Sequence, residues 1–230
     1  MSNLLLFRLM ASASTVPRLW QSEFMTKLSE LNLRLDQGTP KECAVTSLDG
    51  QSSIWFNTGI KAWDWLRDHD GLMSLWTHDD RGVNFSIQHE RSECSPNGML
   101  HAEVDISADL PSSGAMEAKE RAVILAESLA TAVLDKCELY RGLAYDEDSY
   151  ERVIELTPVT GATALGLPPW LGYWNAFSLG HYSDELRRVC EQQSVVLELR
   201  TSSLIVRLAT WPWEAELDGL SQLSHLLLHD

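Results

Sequence analysis

Apolar and polar residues alternate one by one in two stretches of the chain, residues 83–88 and 100–107. This period of two predicts strands that bury one face and expose the other. Residues 72–77 form a third β-like stretch, separated from the first by the turn-forming segment 79–82, so the two predict a β-hairpin. Together the three segments predict an antiparallel sheet with one solvated face.

Other stretches repeat their apolar residues every three or four positions, which predicts amphipathic helices. These stretches are residues 15–35, 57–68 and 113–136. In the longest of them, Leu125 and Leu129 lie on the main apolar stripe and are predicted to be buried. Val123 and Ile124 widen that stripe, so we expect this helix to be central and to pack against more than one element.

Shorter patterns complete the expected order of elements. Strands are predicted at residues 4–7, 43–48, 53–56, 139–145, 195–199 and 204–209, and further helices at 146–156, 183–190 and 213–228. Because hairpins and helices follow one another irregularly, the expected fold class is α+β, with antiparallel β-hairpins packed against several helices. The length suits a single domain, residues 1–230, with a weak subdivision near residue 110.

The composition is that of a folded and strongly acidic protein. Its 230 residues include 33 acidic and 18 basic side chains, a formal net charge of −15, and 44% of them are hydrophobic. The apolar content argues against disorder, and the lack of a basic stripe argues against direct nucleic-acid binding. No stretch approaches the roughly 18 apolar residues of a membrane span, and Arg8 interrupts the apolar start, so we expect a soluble, cytoplasmic protein.

Patterns typical of metal sites are incomplete. Cys43, Cys94, Cys137 and Cys190 form no C-x-x-C pair, so free buried thiols are favoured over a zinc site or disulfides. The segment His101-Ala102-Glu103 matches half of a zinc deaminase site, but no P-C-x-x-C follows it. We therefore expect no metal and no cofactor.

Patterns typical of other enzymes are equally incomplete. Residues 176–180 imitate a nucleophile elbow around Ser178, with His181 nearby, although prolines and glycines flank the segment. Glycine-rich phosphate loops are missing from the sequence. The prediction is a binding protein and not an enzyme, and the alternative is a small serine hydrolase that uses Ser178.

Tryptophan is unusually frequent, with nine residues against five Phe and five Tyr, and several stand in close pairs. Trp63 and Trp65 are two positions apart, so they cannot share one face of a helix. Trp63 continues the apolar stripe and is predicted in the core, whereas Trp65 is a candidate exposed anchor for a partner. The alternative is that paired tryptophans are core residues whose indole N–H groups bond to the backbone.

The segment 167–177, Leu-Pro-Pro-Trp-Leu-Gly-Tyr-Trp-Asn-Ala-Phe, is followed by a short helix, a hairpin and a closing helix. This arrangement resembles bacterial immunity proteins of polymorphic and type VI secreted toxins, in particular the immunity protein 52 family, over the C-terminal two-thirds of the chain. The resemblance implies a non-enzymatic α+β protein that binds and blocks a cognate toxin, typically a restriction-endonuclease-fold nuclease. It transfers no functional residues, because such interfaces vary with the toxin.

A nuclease presents a basic groove to its substrate, and a chain with a net charge of −15 would be steered towards it. The candidate contacts are therefore acidic positions predicted on the surface, together with one aromatic residue. They are Asp64, Trp65 and Asp68 on a helix, Asp79 and Asp80 at a hairpin tip, and Asp146, Glu147 and Asp148 at a helix start. The alternative for each acidic cluster is a solubilising surface or a helix cap.

Overall fold

The computed structural model describes residues 4–31, 43–76, 83–94, 100–110, 116–146, 170–175, 183–192, 196–199 and 203–214. The fold is α+β, with antiparallel strands and helices, which confirms the predicted class. The chain divides into two compact units, the larger Phe7–Tyr140 and the smaller Met1–Leu6 with Arg141–Asp230. Residue 110, where the sequence analysis placed a weak subdivision, lies inside the larger unit.

The larger unit contains a sheet of strands from the N-terminal half of the chain. Its strands are β1 (Leu4–Ser12, of which Phe7–Ser12 belongs to this unit), β2 (Cys43–Thr46), β3 (Ser53–Phe56), β4 (Gly71–Trp76), β5 (Val83–Cys94) and β6 (Leu100–Asp109), in the order β3-β2-β4-β5-β6-β1. The pairings of β2 with β3 and β4, and of β5 with β4 and β6, are antiparallel. The pairing of β4 with β5 confirms the hairpin predicted from residues 72–77 and 83–88.

One face of this sheet forms the core because its side chains are apolar at every second position. Val45, Met73, Ile87 and Val104 lie opposite one another across four strands and are all buried. The other face carries Ser74, Ser86 and Asp105 in a matching row, which are only half-buried. The period of two in the sequence is therefore the alternation between these two faces.

The helices of the larger unit are a 3-10 helix (Val16–Trp20), α1 (Ser22–Glu30), α2 (Gly59–Arg67) and α3 (Met116–Lys136). Helix α2 contacts β2, β3 and β4, while α3 contacts β6 and α1. Leu125 and Leu129 are buried, as predicted, but Ile124 is 54% exposed, so the expectation that it widens the buried stripe is wrong. Val123 one position earlier is buried.

The N-terminal helical region differs from its sequence pattern. The stretch predicted as one helix begins as the 3-10 helix and continues as α1, because Gln21 between them adopts an extended conformation with φ −76° and ψ 153°. Leu19, Phe24 and Leu28 nevertheless bury the predicted apolar stripe. The remainder of the stretch, from residue 32, lies outside the described residues.

The smaller unit contains β7 (Leu139–Asp146, of which Arg141–Asp146 belongs to this unit), β8 (Leu171–Asn175), α4 (Ser183–Gln192), β9 (Val196–Leu199), β10 (Ser203–Arg207) and a 3-10 helix (Pro212–Glu214). Its strand order is β7-β8-β10-β9, and neighbouring strands in this order are antiparallel. The predicted hairpin of β9 and β10 is confirmed. Residues 171–175, in which no strand was predicted, form β8 in this sheet.

None of the described helices combines the length and the apolar character needed to cross a bilayer. The helix predicted from residue 146 does not begin there, because Asp146 is the last residue of β7. Residues 147–156 and most of the helix predicted at 213–228 lie outside the described residues.

Candidate partner-binding surface

Helix α2 has one buried face and one charged face. Ala62, Trp63 and Leu66 are fully buried, at the three- and four-residue spacing that puts them on one side of the helix. Thr58, in an extended conformation, stands at the N-cap, close to the predicted start. Asp64 points away from the core and is exposed. Trp63 therefore lies in the core as predicted.

Trp65 lies at the boundary of the buried face and is half-buried. Its ring stacks on the His69 imidazole, with centroids 3.9 Å apart and planes inclined by 1°. His69 Nδ1 lies 2.7 Å from the Trp65 carbonyl oxygen, and because that oxygen can only accept, Nδ1 donates. Phe56 of β3 contacts the same indole at 6.2 Å between centroids. The two ring contacts restrict the orientation of the Trp65 ring, and part of the side chain stays accessible.

Strand β3 is exposed at Ser53, Ile54 and Trp55, and half-buried at Phe56. Ile54 is 41% exposed and Trp55 47%, and both are large apolar side chains. Successive side chains of a strand point to opposite faces, so Ile54 and Trp55 lie on the two different faces of the sheet. Exposed aromatic and apolar residues in this density mark interaction sites more often than ordinary surface. We refer to Ile54, Trp55 and Phe56 with Trp65 as the β3–α2 surface.

Carboxylates outnumber basic side chains in the segment that carries the β3–α2 surface. The segment 43–70, which carries it, contains Asp49, Asp64, Asp68 and Asp70 against Lys61 and Arg67, a net of −2 from four acids and two bases. Asp68 is exposed, and its Oδ1 lies 3.9 Å from Arg67 Nε. Such an exposed pair contributes little to stability and leaves the carboxylate accessible to another cation.

Asp49 belongs to the turn between β2 and β3. The Ser47 hydroxyl donates to Asp49 Oδ1 at 2.5 Å, and the Gln51 N–H donates to the same oxygen at 3.0 Å. The Ser47 hydrogen bond, and after it the Gln51 N–H, lower the pKa of Asp49 below its usual value. Gly50 completes this turn with a φ of +70°, which an L side chain rarely adopts.

The predicted contact residues fall into described and undescribed groups. Asp64, Trp65 and Asp68 lie together on one end and side of α2. Asp146 is the last residue of β7, where only its backbone is described. Asp79, Asp80, Glu147 and Asp148 lie outside the described residues. The structure therefore describes the side chains of Asp64, Trp65 and Asp68 among these candidates.

The residues of the catalytic and metal-site alternatives are in part described by the structure. The segment His101-Ala102-Glu103 lies in strand β6, and Glu103 makes an ion pair with Arg8 at 3.0 Å. Burial raises the pKa of the Cys137 thiol to about 12 and that of Cys190 to about 11, which keeps both neutral and unreactive. In the described parts of the chain, no group of three or more His, Cys, Asp or Glu residues is placed to hold a metal ion. Ser178 and His181 lie outside the described residues.

The segment 170–173 contributes to the core. Trp170, Leu171 and Tyr173 are buried, and the Trp170 indole Nε1–H donates to the Ala209 carbonyl at 2.9 Å. The Arg207 guanidinium stacks on the same ring, 5.5 Å from its centroid. This segment follows the core alternative for the tryptophans, with its indole bonded to the backbone.

Sequence reasoning missed the exposure of β3. The available signal is the run Ile54-Trp55-Phe56, in which three consecutive apolar residues occupy a four-residue strand. A half-buried strand alternates, so an unbroken apolar run in such a short element indicates that one of its faces is apolar and accessible, or that both are buried. Whether such a strand is accessible on one face or buried on both depends on the elements that pack against it.

Comparison with protein-family models, with curated proteins and with solved structures finds no match to this chain.

Proposed function

We propose that this protein is a cytoplasmic, non-enzymatic immunity protein that binds a cognate secreted toxin and neutralises it by forming a stoichiometric complex. The observation that carries the proposal is the β3–α2 surface, where exposed apolar and aromatic side chains lie beside exposed carboxylates. An aromatic anchor next to a charged rim is the usual anatomy of a protein–protein interface. The resemblance of residues 167–177 to immunity proteins supports the same class.

The toxin is a nuclease in this proposal, with a restriction-endonuclease fold. A nuclease holds its substrate phosphates with basic side chains, so its groove attracts an acidic protein. The chain carries a net charge of −15, and both Asp64 and Asp68 are exposed. Their carboxylates would occupy positions that phosphates take in the substrate, while Trp65 fills an adjacent pocket.

In this proposal the toxin is neutralised because the bound protein occupies its nucleic-acid groove. A protein that covers the groove excludes the nucleic acid sterically and cancels the positive potential that attracts it. Blocking a required assembly of the toxin is the second route to the same outcome. Neither route needs chemistry from this chain, in keeping with its buried, neutral thiols at Cys137 and Cys190.

The test is co-expression with the secreted toxin encoded beside this protein, followed by pull-down and association kinetics with charge-reversed variants. Asp64→Lys with Asp68→Lys should slow association about tenfold or more at low salt and flatten its salt dependence. The matched control is Asp184→Lys with Glu191→Lys, because these carboxylates are exposed on α4 and the change in charge is the same. The clusters Asp79–Asp80 and Asp146–Asp148 are reversed in turn in the same assay.

Three outcomes would contradict the proposal. The first is a co-expressed toxin that kills cells as quickly with this protein as without it. The second is protection that survives reversal of all three clusters, which would remove the electrostatic part of the argument. The third is labelling of Ser178, and of no other serine, by an active-site serine probe, which would instead support a hydrolase.

A further inference from the structure

Strand β3 occupies the end of the sheet in the larger unit. In the strand order its one neighbour is β2, and within the described part of the chain no strand lies beyond it. A strand in this position presents one side of its backbone as a template for another strand. Natural proteins usually protect such edges with charged residues or proline, whereas β3 reads Ser-Ile-Trp-Phe.

The register shows which backbone groups of β3 face outwards. The Ser47 N–H donates to the Ser52 carbonyl at 3.0 Å, and the pairing continues with Val45 opposite Ile54. Directly opposed residues of an antiparallel pair alternate between bonded and non-bonded positions. Ile54 therefore directs its backbone groups at β2, and Ser53 directs its N–H and carbonyl towards the outer side of β3.

The side chains of β3 are accessible on both faces of the sheet. Ser53, Ile54 and Trp55 are all exposed, and Ile54 and Trp55 point to opposite faces. A partner lying flat on either face would reach only one of them. A segment that runs along the edge would contact both, with its own alternate side chains on the two faces.

The charge around β3 selects the kind of segment. The stretch 43–70 has a net charge of −2 and the whole chain −15. A second copy of this chain would bring the same negative charge to the contact, so edge-to-edge pairing of two copies is opposed by long-range repulsion. A basic segment is attracted by the same field and steered to the edge.

We propose that β3 is a strand-addition site, which takes an extended segment of a basic partner protein as an added strand beside Ser53–Phe56. Backbone hydrogen bonds to β3 supply affinity for any extended chain, and the exposed Ile54 and Trp55 side chains each select an apolar residue of the added strand, one on each face of the sheet. This inference rests on the proposed function in one respect, namely that the donor of the segment is the neutralised toxin. The site itself is defined independently of what the toxin does.

The test measures amide hydrogen exchange by NMR on the full chain, with a synthetic peptide about ten residues long as the probe, in which Lys-Lys-Val-Val repeats so that each face of its strand carries both Lys and Val. At about ten times its dissociation constant, the peptide should slow exchange of the Ser53 amide about tenfold. The Ile54 amide, which faces β2, should change little. Binding should weaken as salt is added.

Two control peptides separate strand addition from other modes of binding. The same peptide N-methylated at every residue keeps its side chains but has no N–H to donate, and it should not protect Ser53. A Glu/Val peptide of the same length should not bind, because its charge has the sign of the surface. On the protein, Trp55→Ala should weaken binding about tenfold or more, whereas Ile124→Ala, also exposed but on α3, should leave it unchanged.

Three results overturn the inference: unchanged exchange at Ser53, equal binding of the N-methylated peptide, or concentration-dependent dimerisation that protects Ser53 without any peptide. The first two leave the proposed function standing if co-expression still neutralises the toxin. Conversely, if the peptide protects Ser53 but co-expression does not neutralise the toxin, the proposed function is contradicted and the strand-addition site is not.

Discussion

At the scale of single residues, the Arg8 guanidinium lies against two carboxylates on the polar face of the larger unit's sheet. Its terminal nitrogen donates to Asp105 Oδ2 at 2.9 Å, and its Nε lies 3.0 Å from Glu103 Oε1. All three side chains are partly buried, with 34%, 22% and 19% of their surfaces exposed for Arg8, Glu103 and Asp105. Without the cation, the two carboxylates would repel each other on a surface that water reaches only in part.

We therefore expect Arg8→Met to lower the free energy of unfolding by about 1–2 kcal/mol, because it removes charge-assisted hydrogen bonds and leaves two partly buried acids without compensation. Lys27→Met is the control, since Lys27 and Glu30 form an exposed pair at 3.2 Å whose loss should cost about 0–0.5 kcal/mol. Urea denaturation of both variants measures the difference. Equal losses would show that the Arg8 pair is worth no more than an exposed one.

Cys137 carries a second prediction at this scale. Burial raises the pKa of its thiol to about 12, against an ordinary value of 9.0, and it lies 3.8 Å from the Thr15 carbonyl. At neutral pH, iodoacetamide should therefore leave Cys137 of the folded protein unlabelled, whereas in urea the reagent should label this thiol. Peptide mass mapping distinguishes labelled from unlabelled Cys137. The stabilising effect of the neutral thiol is complete below about pH 9 and is lost as the pH rises towards 12, because the unfolded chain releases the proton first. Rapid labelling of the folded protein at neutral pH would contradict the burial.

At the scale of elements, α3 supplies the longest buried stripe of the larger unit. Its buried residues are Ala122, Val123, Leu125, Ala126, Leu129, Ala130, Ala132 and Val133. Six of these eight are valine or alanine residues at positions that flank the two leucines, so the stripe is wide and closely packed. Small side chains of this kind allow a helix to approach its neighbours closely.

Leu129→Ala should lower the free energy of unfolding by about 2–5 kcal/mol, because it removes a fully buried side chain and leaves a cavity. Ile124→Ala provides the matched control on the same helix, since Ile124 is exposed and its truncation should change the stability by no more than about 0.5 kcal/mol. Thermal and urea unfolding of the two variants give the comparison. Similar losses in both would mean that the stripe is not oriented as described.

At the scale of the whole molecule, the excess of acidic side chains acts on every surface at once. A net charge of −15 in 230 residues produces self-repulsion that opposes the compact state. Because dissolved ions screen charges further apart than the Debye length, raising the salt concentration from a few millimolar to about 0.15 M should raise the melting temperature. Differential scanning fluorimetry at constant pH measures this, and a melting temperature that falls with added salt would show that attractive pairs outweigh the repulsion.

The sequence by itself determined the elements whose signal is local. Strands β5 and β6 formed where residues 83–88 and 100–107 alternate, and α3 buries the apolar stripe through Leu125 and Leu129. This follows because the period of the apolar side chains determines which side of a strand or helix is apolar. The same reasoning placed Trp63 in the core and left Trp65 towards the surface.

The tertiary structure alone decided which elements became neighbours. That β3 stands at the end of a sheet, and that Arg8 meets Glu103 and Asp105 nearly a hundred residues away, depends on long-range pairing that no local pattern contains. Residues 171–175 became a strand because β7 and β10 offer hydrogen bonds on both sides of it, which outweighs the turn preference of its glycine and neighbouring prolines. Exposure, and with it the candidate surface, is set by the neighbours of a residue, and the chain acquires those neighbours only when it folds.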